Sequence, residues 1–155
     1  MATKDWEASV SAKINGPTAD QVWPYLSDFG NIYKIFPTDV SFCVQGTEGQ
    51  PGLIRYTAVK FPMPTDPSNI TVMWAREELL ELDVSQKYVT YQIHENNRGL
   101  TRFTGTMQVL HDGDHGCTFK WSVVSAPVAG STYEDLVGFL EMTTSQVVSL
   151  IEKLV

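Results

Sequence analysis

The final stretch of the chain, residues 131–155, constrains the fold more than any other. Apolar residues recur there at helical spacing, and acidic residues take much of the opposite side. These apolar residues are Leu136, Val137, Leu140, Val147, Val148, Ile151 and Leu154. Ser131 and Glu134 have the spacing of a capping box at its start. Because Gly138 and the Thr143–Thr144 pair are weak helix formers, this long helix needs a partner surface.

Length and charge limit the function classes. We expect residues 1–155 to form one domain, since the chain contains no linker, repeat or low-complexity tract. The formal net charge is -7 and lysines and arginines do not cluster, which argues against nucleic acid or an anionic membrane as the partner. No apolar run approaches the length of a membrane span.

The cysteines and histidines predict a cytoplasmic protein without disulfides or a metal site. Cys43 and Cys117 are isolated and the first residues are polar, which predicts two free thiols and no signal peptide. His94, His111 and His115 lack metal-ligand spacing. We therefore expect neither a metal nor another cofactor.

The rest of the chain reads as one strand, two short helices and six further strands. Trp6–Ile14 alternates with a period of two, Thr18 opens a short helix, and residues 31–36 form a second one. Turn residues then separate six strand-like runs: 40–46, 53–61, 71–82, 88–95, 100–111 and 117–126. Short connections without helices favour an antiparallel meander.

These elements together predict an α+β helix-grip fold. A curved, seven-stranded antiparallel sheet would wrap around the long C-terminal helix, with the two short helices after the first strand. Such a sheet closed by one helix seldom fills its interior, so a cavity between them is the expected ligand site.

Several stretches, in this order, resemble the START/Bet v 1-like superfamily of polyketide cyclases and lipid transport proteins, and most closely the plant lachrymatory-factor synthase-like proteins. The stretches that carry the resemblance are 22–29 (VWPYLSDF), 52–56 (GLIRY), 74–79 (WAREEL), 104–108 (TGTMQ) and 119–122 (FKWS). They span nearly the whole chain. The resemblance implies a cytosolic plant protein with an apolar cavity.

The resemblance also implies candidate site residues. That family isomerises a small sulfenic acid to a thial S-oxide by moving a proton, and its catalytic arginine and glutamate match Arg55 and Glu77. The family's tyrosine falls on Phe103, whose ring cannot donate or accept a proton. The expected ligand-binding residues are Tyr56, Met73, Trp74, Ala75, Tyr91, Phe103, Met107, Trp121, Leu136 and Leu140.

Side-chain parity leaves two interpretations of the charged pair. Arg55 and Glu77 either face the interior, where they would suit proton transfer, or form a cross-strand ion pair without chemistry. Trp74, Leu80 and Leu82 have the opposite parity to Glu77, so a bulge would reverse the assignment near one end. Tyr91 is either a cavity-facing phenol that partly replaces the missing hydroxyl or an ordinary core tyrosine.

Two segments are candidate loops at the cavity mouth. Glycines mark residues 46–52, and prolines mark residues 62–67, where Met63 would act as an apolar gate. Two functions fit: a carrier of a small hydrophobic or amphipathic ligand, and an isomerase or cyclase that uses Arg55 and Glu77. Phe103 favours the carrier.

Overall fold

The computed structural model describes residues 4–63, 66–113 and 115–155. Its strands are β1 (Trp6–Asn15), β2 (Val40–Gln45), β3 (Ile54–Met63), β4 (Asp66–Asp83), β5 (Tyr88–Asn96), β6 (Thr104–His111) and β7 (Gly116–Ser125). Its helices are α1 (Ala19–Leu26), a 3₁₀ helix (Phe29–Lys34) and α2 (Tyr133–Leu154).

The seven strands form one antiparallel sheet in the order β1-β7-β6-β5-β4-β3-β2. Strands β2 to β6 each pair with the next strand in sequence, and β1 pairs with β7 at the other edge of the sheet. The predicted helix-grip architecture is confirmed: an antiparallel meander, preceded by one strand and two short helices, with a long terminal helix.

Helix α2 starts one residue later than the sequence predicts. Thr132, not Ser131, is the N-cap: its Oγ1 accepts the Asp135 N–H at 3.1 Å, and Asp135 Oδ2 accepts the Thr132 N–H at 2.9 Å. Both pairs have capping-box spacing. Asp135 takes the role predicted for Glu134 because the observed box begins at Thr132.

The buried face of α2 is centred on its weak helix formers. Thr143 and Thr144 are buried together with Leu140, Val147 and Ile151. The expected core residues Leu136, Val137 and Val148 are only half-buried, and Leu154 is exposed. The helix packs on β1 and β7, so tertiary contact holds together a segment that its propensity alone would not.

The two short helices pack against the sheet at different strands. Thr18 caps α1 as predicted, in a capping box with Gln21. The 3₁₀ helix has non-helical backbone angles at Asn31, which kinks it. Helix α1 packs on β6 and β7, whereas the 3₁₀ helix packs on β2 and β3.

Two predicted strand starts are wrong. Strand β4 begins at Asp66 rather than Thr71, because its pairing with β3 continues to Met63 opposite Asp66. Strand β6 begins at Thr104 rather than Leu100. The Asn96 side chain holds the preceding residues in a turn, and Arg102 has a left-handed φ of 50°.

The two cysteines are free thiols, as predicted: Cys43 is exposed and Cys117 is buried. Among the described residues, none of the helices has the length and hydropathy of a membrane span.

Candidate functional site

A cavity of about 390 Å³ lies between the sheet, α2 and the segment that follows the 3₁₀ helix. Strands β3 to β7 form its walls, and Phe36, Pro37 and Thr38 close one side. Apolar atoms predominate in the lining, and the volume falls in the range of roughly 300–1,000 Å³ typical of small-molecule sites. The interior of the fold is therefore hollow on this side of the sheet.

Most of the ligand-binding residues expected from sequence line this cavity. They are Met73, Trp74, Ala75, Tyr91, Phe103, Met107 and Trp121. The Trp74 ring also stacks on Tyr56, with the ring centroids 6.1 Å apart.

The structure places the other three expected residues outside the lining. Tyr56 lies on the opposite face of β3 from Arg55, because neighbouring strand residues alternate between faces. Leu136 and Leu140 are also absent from the wall. Helix α2 instead presents Phe139, Met142, Thr143 and Gln146, a stripe rotated from the one that packs on the sheet.

Arg55 and Glu77 line the cavity as a buried ion pair. They lie directly opposite each other on β3 and β4, and Arg55 Nε donates to Glu77 Oε1 at 2.7 Å. Their side chains are only 4% and 10% exposed. At this burial the pair is stable only when further hydrogen bonds offset the loss of hydration.

The 3₁₀ helix supplies that support. Arg55 Nη1 donates to the Phe29 carbonyl at 2.9 Å, and the guanidinium stacks over the Phe29 ring, 3.7 Å from its centroid. Within the described part of the chain, Glu77 Oε2 and the Arg55 Nη2 group have no protein hydrogen bond. The pair can therefore offer one carboxylate oxygen and the remaining guanidinium donors to a polar group in the cavity.

A bulge leaves Glu77 on the inner face. Between β4 and β5 the register shifts twice, between Ala75 and Glu77 and again between Leu79 and Glu81. Ala75, Glu77 and Leu79 are all buried, whereas Leu80 is exposed and Leu82 packs against the core. The second shift thus turns Leu82 inward after Leu80, which accounts for the conflicting parity of this strand.

Tyr91 faces the cavity and is 2% exposed. Its hydroxyl accepts the Trp121 Nε1–H at 3.1 Å, which leaves the phenol proton to be donated elsewhere. Burial raises the pKa of Tyr91 and the Glu77 carboxylate raises it further, so the phenol stays protonated near neutral pH.

Gly105 makes room for the Tyr91 ring. The two residues lie opposite each other on β5 and β6, and a Cβ at Gly105 would come within 2.6 Å of the Tyr91 Cζ and hydroxyl oxygen. Phe103 lies beside the same ring, with the centroids 6.4 Å apart. A tyrosine ring, which carries a hydroxyl, thus lies next to Phe103, which lacks one.

Sequence reasoning missed Arg98, a second cation in the cavity wall. It lies in the turn between β5 and β6, and its guanidinium lies 5.1 Å from the centroid of the Phe139 ring. The missed wall residues Phe36, Pro37 and Thr38 follow the 3₁₀ helix. Periodicity does not identify loop residues as part of a cavity wall. For Arg98, the sequence offered one signal, an isolated arginine in a turn rich in asparagine and glycine.

The predictions for the two mouth loops have different outcomes. Residues 46–52 do not line the cavity; Glu48 and Gly49 instead lie beside the turn at residues 27–30. That prediction is wrong, because Glu48 and Gly49 border a separate depression beside residues 27–30. In the proline-rich segment 62–67, residues 64 and 65 and the Met63 side chain lie outside the described residues, so the gate stays a prediction.

Residues 5–148 match the family model described as polyketide cyclase / dehydrase and lipid transport. The structure is similar to the protein XoxI from Bacillus cereus, with a TM-score of 0.71 at 19% identity over 99% of this chain and 94% of that one. An uncharacterized protein from Bacillus thuringiensis gives a TM-score of 0.67 at 20% identity, covering 95% of this chain and 96% of that one.

A plant protein has a comparable structure. Ginseng major latex-like protein 151 from Panax ginseng gives a TM-score of 0.70 at 15% identity over 95% of this chain and 97% of that one. At such identities these likenesses describe the fold alone.

Proposed function

The chain belongs to the polyketide cyclase / dehydrase and lipid transport family, and from this premise we propose that it binds and carries a small hydrophobic or amphipathic ligand in its cavity. The observation that supports the proposal is the hollow of about 390 Å³, walled mainly by apolar side chains around one buried ion pair. Burial of an apolar ligand there would stabilise the complex by about 25 cal/mol per Å² of apolar surface removed from water.

Two polar features would orient the ligand within this apolar space. The free oxygen of Glu77 accepts a hydrogen bond, and the remaining donors of Arg55 bind an oxygen. We propose that residues 1–155 act as one cytoplasmic unit, consistent with the free thiols of Cys43 and Cys117.

Equilibrium binding tests the proposal. Trp121 lines the cavity, so its fluorescence should change when 1-decanol, a sterol or a flavonoid is titrated into the protein. Thr57→Phe puts a ring into the cavity from β3 and should weaken binding about tenfold or more. Its control is Thr118→Phe, a half-buried threonine outside the lining on β7, which should leave the affinity within about twofold.

Binding by none of these ligands would contradict the carrier function. Equal loss of affinity in both threonine variants would place the ligand somewhere other than this cavity.

The Arg55–Glu77 pair favours a second candidate function, a proton-moving isomerase or cyclase similar to lachrymatory-factor synthase. Glu77 would take a proton from one atom of the substrate and return it to another, while Arg55 binds the oxygen on which negative charge develops. The Tyr91 phenol could supply the hydroxyl that Phe103 lacks.

Freshly generated sulfenic acid is the direct substrate test. Thial S-oxide should form with the wild type and with Glu78→Gln, whose carboxylate contacts His94 instead of the cavity. It should not form with Glu77→Gln. No product from the wild type would exclude this activity and leave the carrier function standing.

A further inference from the structure

Arg98 gives the cavity an unbalanced positive charge. The charged residues of the lining are Arg55, Glu77 and Arg98. The first two form an ion pair, whereas no carboxylate in the described part of the chain lies within ion-pair distance of Arg98. An empty cavity therefore carries a formal charge of about +1 inside a protein whose net charge is -7.

The surroundings of Arg98 make this charge effective. The side chain is half-buried, and its guanidinium lies over the Phe139 ring, which restricts its access to water. Its positive charge also lowers the pKa of the buried Tyr91 phenol, a smaller effect than the burial that raises it. The charge of Arg98 thus acts on the interior of the cavity.

The turn that carries Arg98 is held in place by the Asn96 side chain. Asn96 Oδ1 accepts the Arg98 N–H at 2.9 Å and the Leu100 N–H at 3.0 Å, and Asn96 Nδ2 donates to the Leu100 carbonyl at 3.0 Å. The turn is therefore braced from within, on both sides of Arg98.

Asn97 ties the same turn to β4. Its Oδ1 accepts the Trp74 N–H at 2.8 Å, and its Nδ2 donates to the Val72 carbonyl at 2.7 Å. Because the Asn96 and Asn97 side chains already hold the backbone around Arg98, little conformational entropy is lost there when a ligand binds, which favours affinity.

We propose that Arg98 forms an anion subsite and that the preferred ligand is an amphiphile carrying a single carboxylate. This inference rests on the proposed carrier function and names its ligand class. The carboxylate pairs with the Arg98 guanidinium, and the apolar body extends along Met107 and Trp121. A neutral ligand leaves the positive charge of Arg98 uncompensated, and an ammonium ligand is repelled.

Three probes with the same chain length test the subsite: sodium decanoate, 1-decanol and decylammonium chloride, titrated at pH 8 by tryptophan fluorescence or calorimetry. The wild type should bind decanoate about tenfold more tightly than decanol, and decylammonium most weakly. Arg98→Gln should weaken decanoate about tenfold and leave decanol within about twofold. Arg98→Lys should keep most of the preference, because it keeps the charge.

The matched control is Arg76→Gln. Arg76 lies on β4 outside the lining and pairs with Glu95 at 3.5 Å, so its loss changes the net charge equally but should keep the decanoate preference. Unchanged decanol binding by Arg98→Gln shows that this variant is folded.

The outcomes separate the two proposals. If the wild type binds decanol as tightly as decanoate, or if Arg98→Gln keeps the preference, the anion subsite is overturned and the carrier function survives. If none of the three probes binds the wild type, both proposals are contradicted.

Discussion

Two regions of this molecule share one sheet but differ in how they are filled. In the helix-covered region, formed by β1, β7 and the buried face of α2, Ile14, Phe119, Val147 and Ile151 have no exposed surface. In the cavity region, walled by β3, β4 and β5, side chains such as Thr57 and Met73 are half-buried around a hollow.

The difference follows from the dimensions of the elements. Seven strands spaced about 4.8 Å apart make a sheet roughly 29 Å wide, whereas a helix with its side chains is only about 10–12 Å across. Helix α2 lies over β1 and β7 at one end. The other end is covered by the short 3₁₀ helix and residues 36–38, which are too few to fill it.

The sharpest test of this comparison replaces one phenylalanine in each region. Phe119→Ala should lower the free energy of unfolding by about 3–5 kcal/mol, because it leaves a void in a closed core. Phe139→Ala, in the half-buried cavity wall, should cost less than about 2 kcal/mol, since the ring already borders a hollow. Urea unfolding measures both, and equal losses would show that the two regions are equally well packed.

A pair of glycine substitutions tests how tightly the Tyr91 ring is packed against β6. Gly105→Ala should destabilise the protein by about 3 kcal/mol, because its Cβ would collide with the Tyr91 ring. Gly138→Ala on the exposed side of α2 meets no atom within 4 Å and should stabilise by about 0.4–1 kcal/mol. Thermal unfolding compares them; a neutral Gly105→Ala would mean that the Tyr91 ring moves freely into the cavity.

The smallest expected effect comes from the Tyr91 hydroxyl, which lies on the border of the two regions. Tyr91→Phe should cost about 1–2 kcal/mol at pH 8, because the Trp121 Nε1–H loses its acceptor. Burial raises the pKa of Tyr91 in the folded state above the value of about 10 in the unfolded chain. The folded protein therefore keeps this proton as the pH rises, and stability is lost above about pH 10.

Urea midpoints at pH 8 and pH 11 test this dependence. The stability difference between the wild type and Tyr91→Phe should narrow at the higher pH, because only the wild type carries the buried phenol. Tyr33→Phe, at an exposed tyrosine, should track the wild type at both pH values. A constant difference for Tyr91→Phe would mean that its phenol ionises as readily in the folded protein as in the unfolded one.

Strand periodicity predicted much of the candidate site. Alternation puts Arg55 on one face of β3 with Thr57 and Val59, and Glu77 on one face of β4 with Met73; all five line the cavity. Tyr56 was an expected ligand-binding residue, and that prediction is wrong, because it lies on the opposite face of β3 from Arg55, outside the cavity lining. Local sequence carries this information because side chains alternate at every residue of a strand.

The helix face was harder to predict. Leu136 and Leu140 belong to the most apolar stripe of α2, yet the cavity wall is formed by Phe139, Met142 and Thr143. A helix presents several stripes, and which one meets a cavity depends on where the helix lies on the sheet. The placement of the helix on the sheet does not follow from the sequence pattern of the helix alone.

By itself the sequence determined the order of the elements, the antiparallel sheet with its terminal helix, and which residues of each charged strand share a face. Those properties follow from spacing along the chain, through the periods of two and 3.6 residues and the turn residues between them. Only the tertiary structure decided that α2 covers β1 and β7, that a hollow remains beside β3 to β5, and that the turn at Asn96 brings Arg98 to it. These are contacts between residues far apart in sequence, and they depend on how the volumes of whole elements fit together.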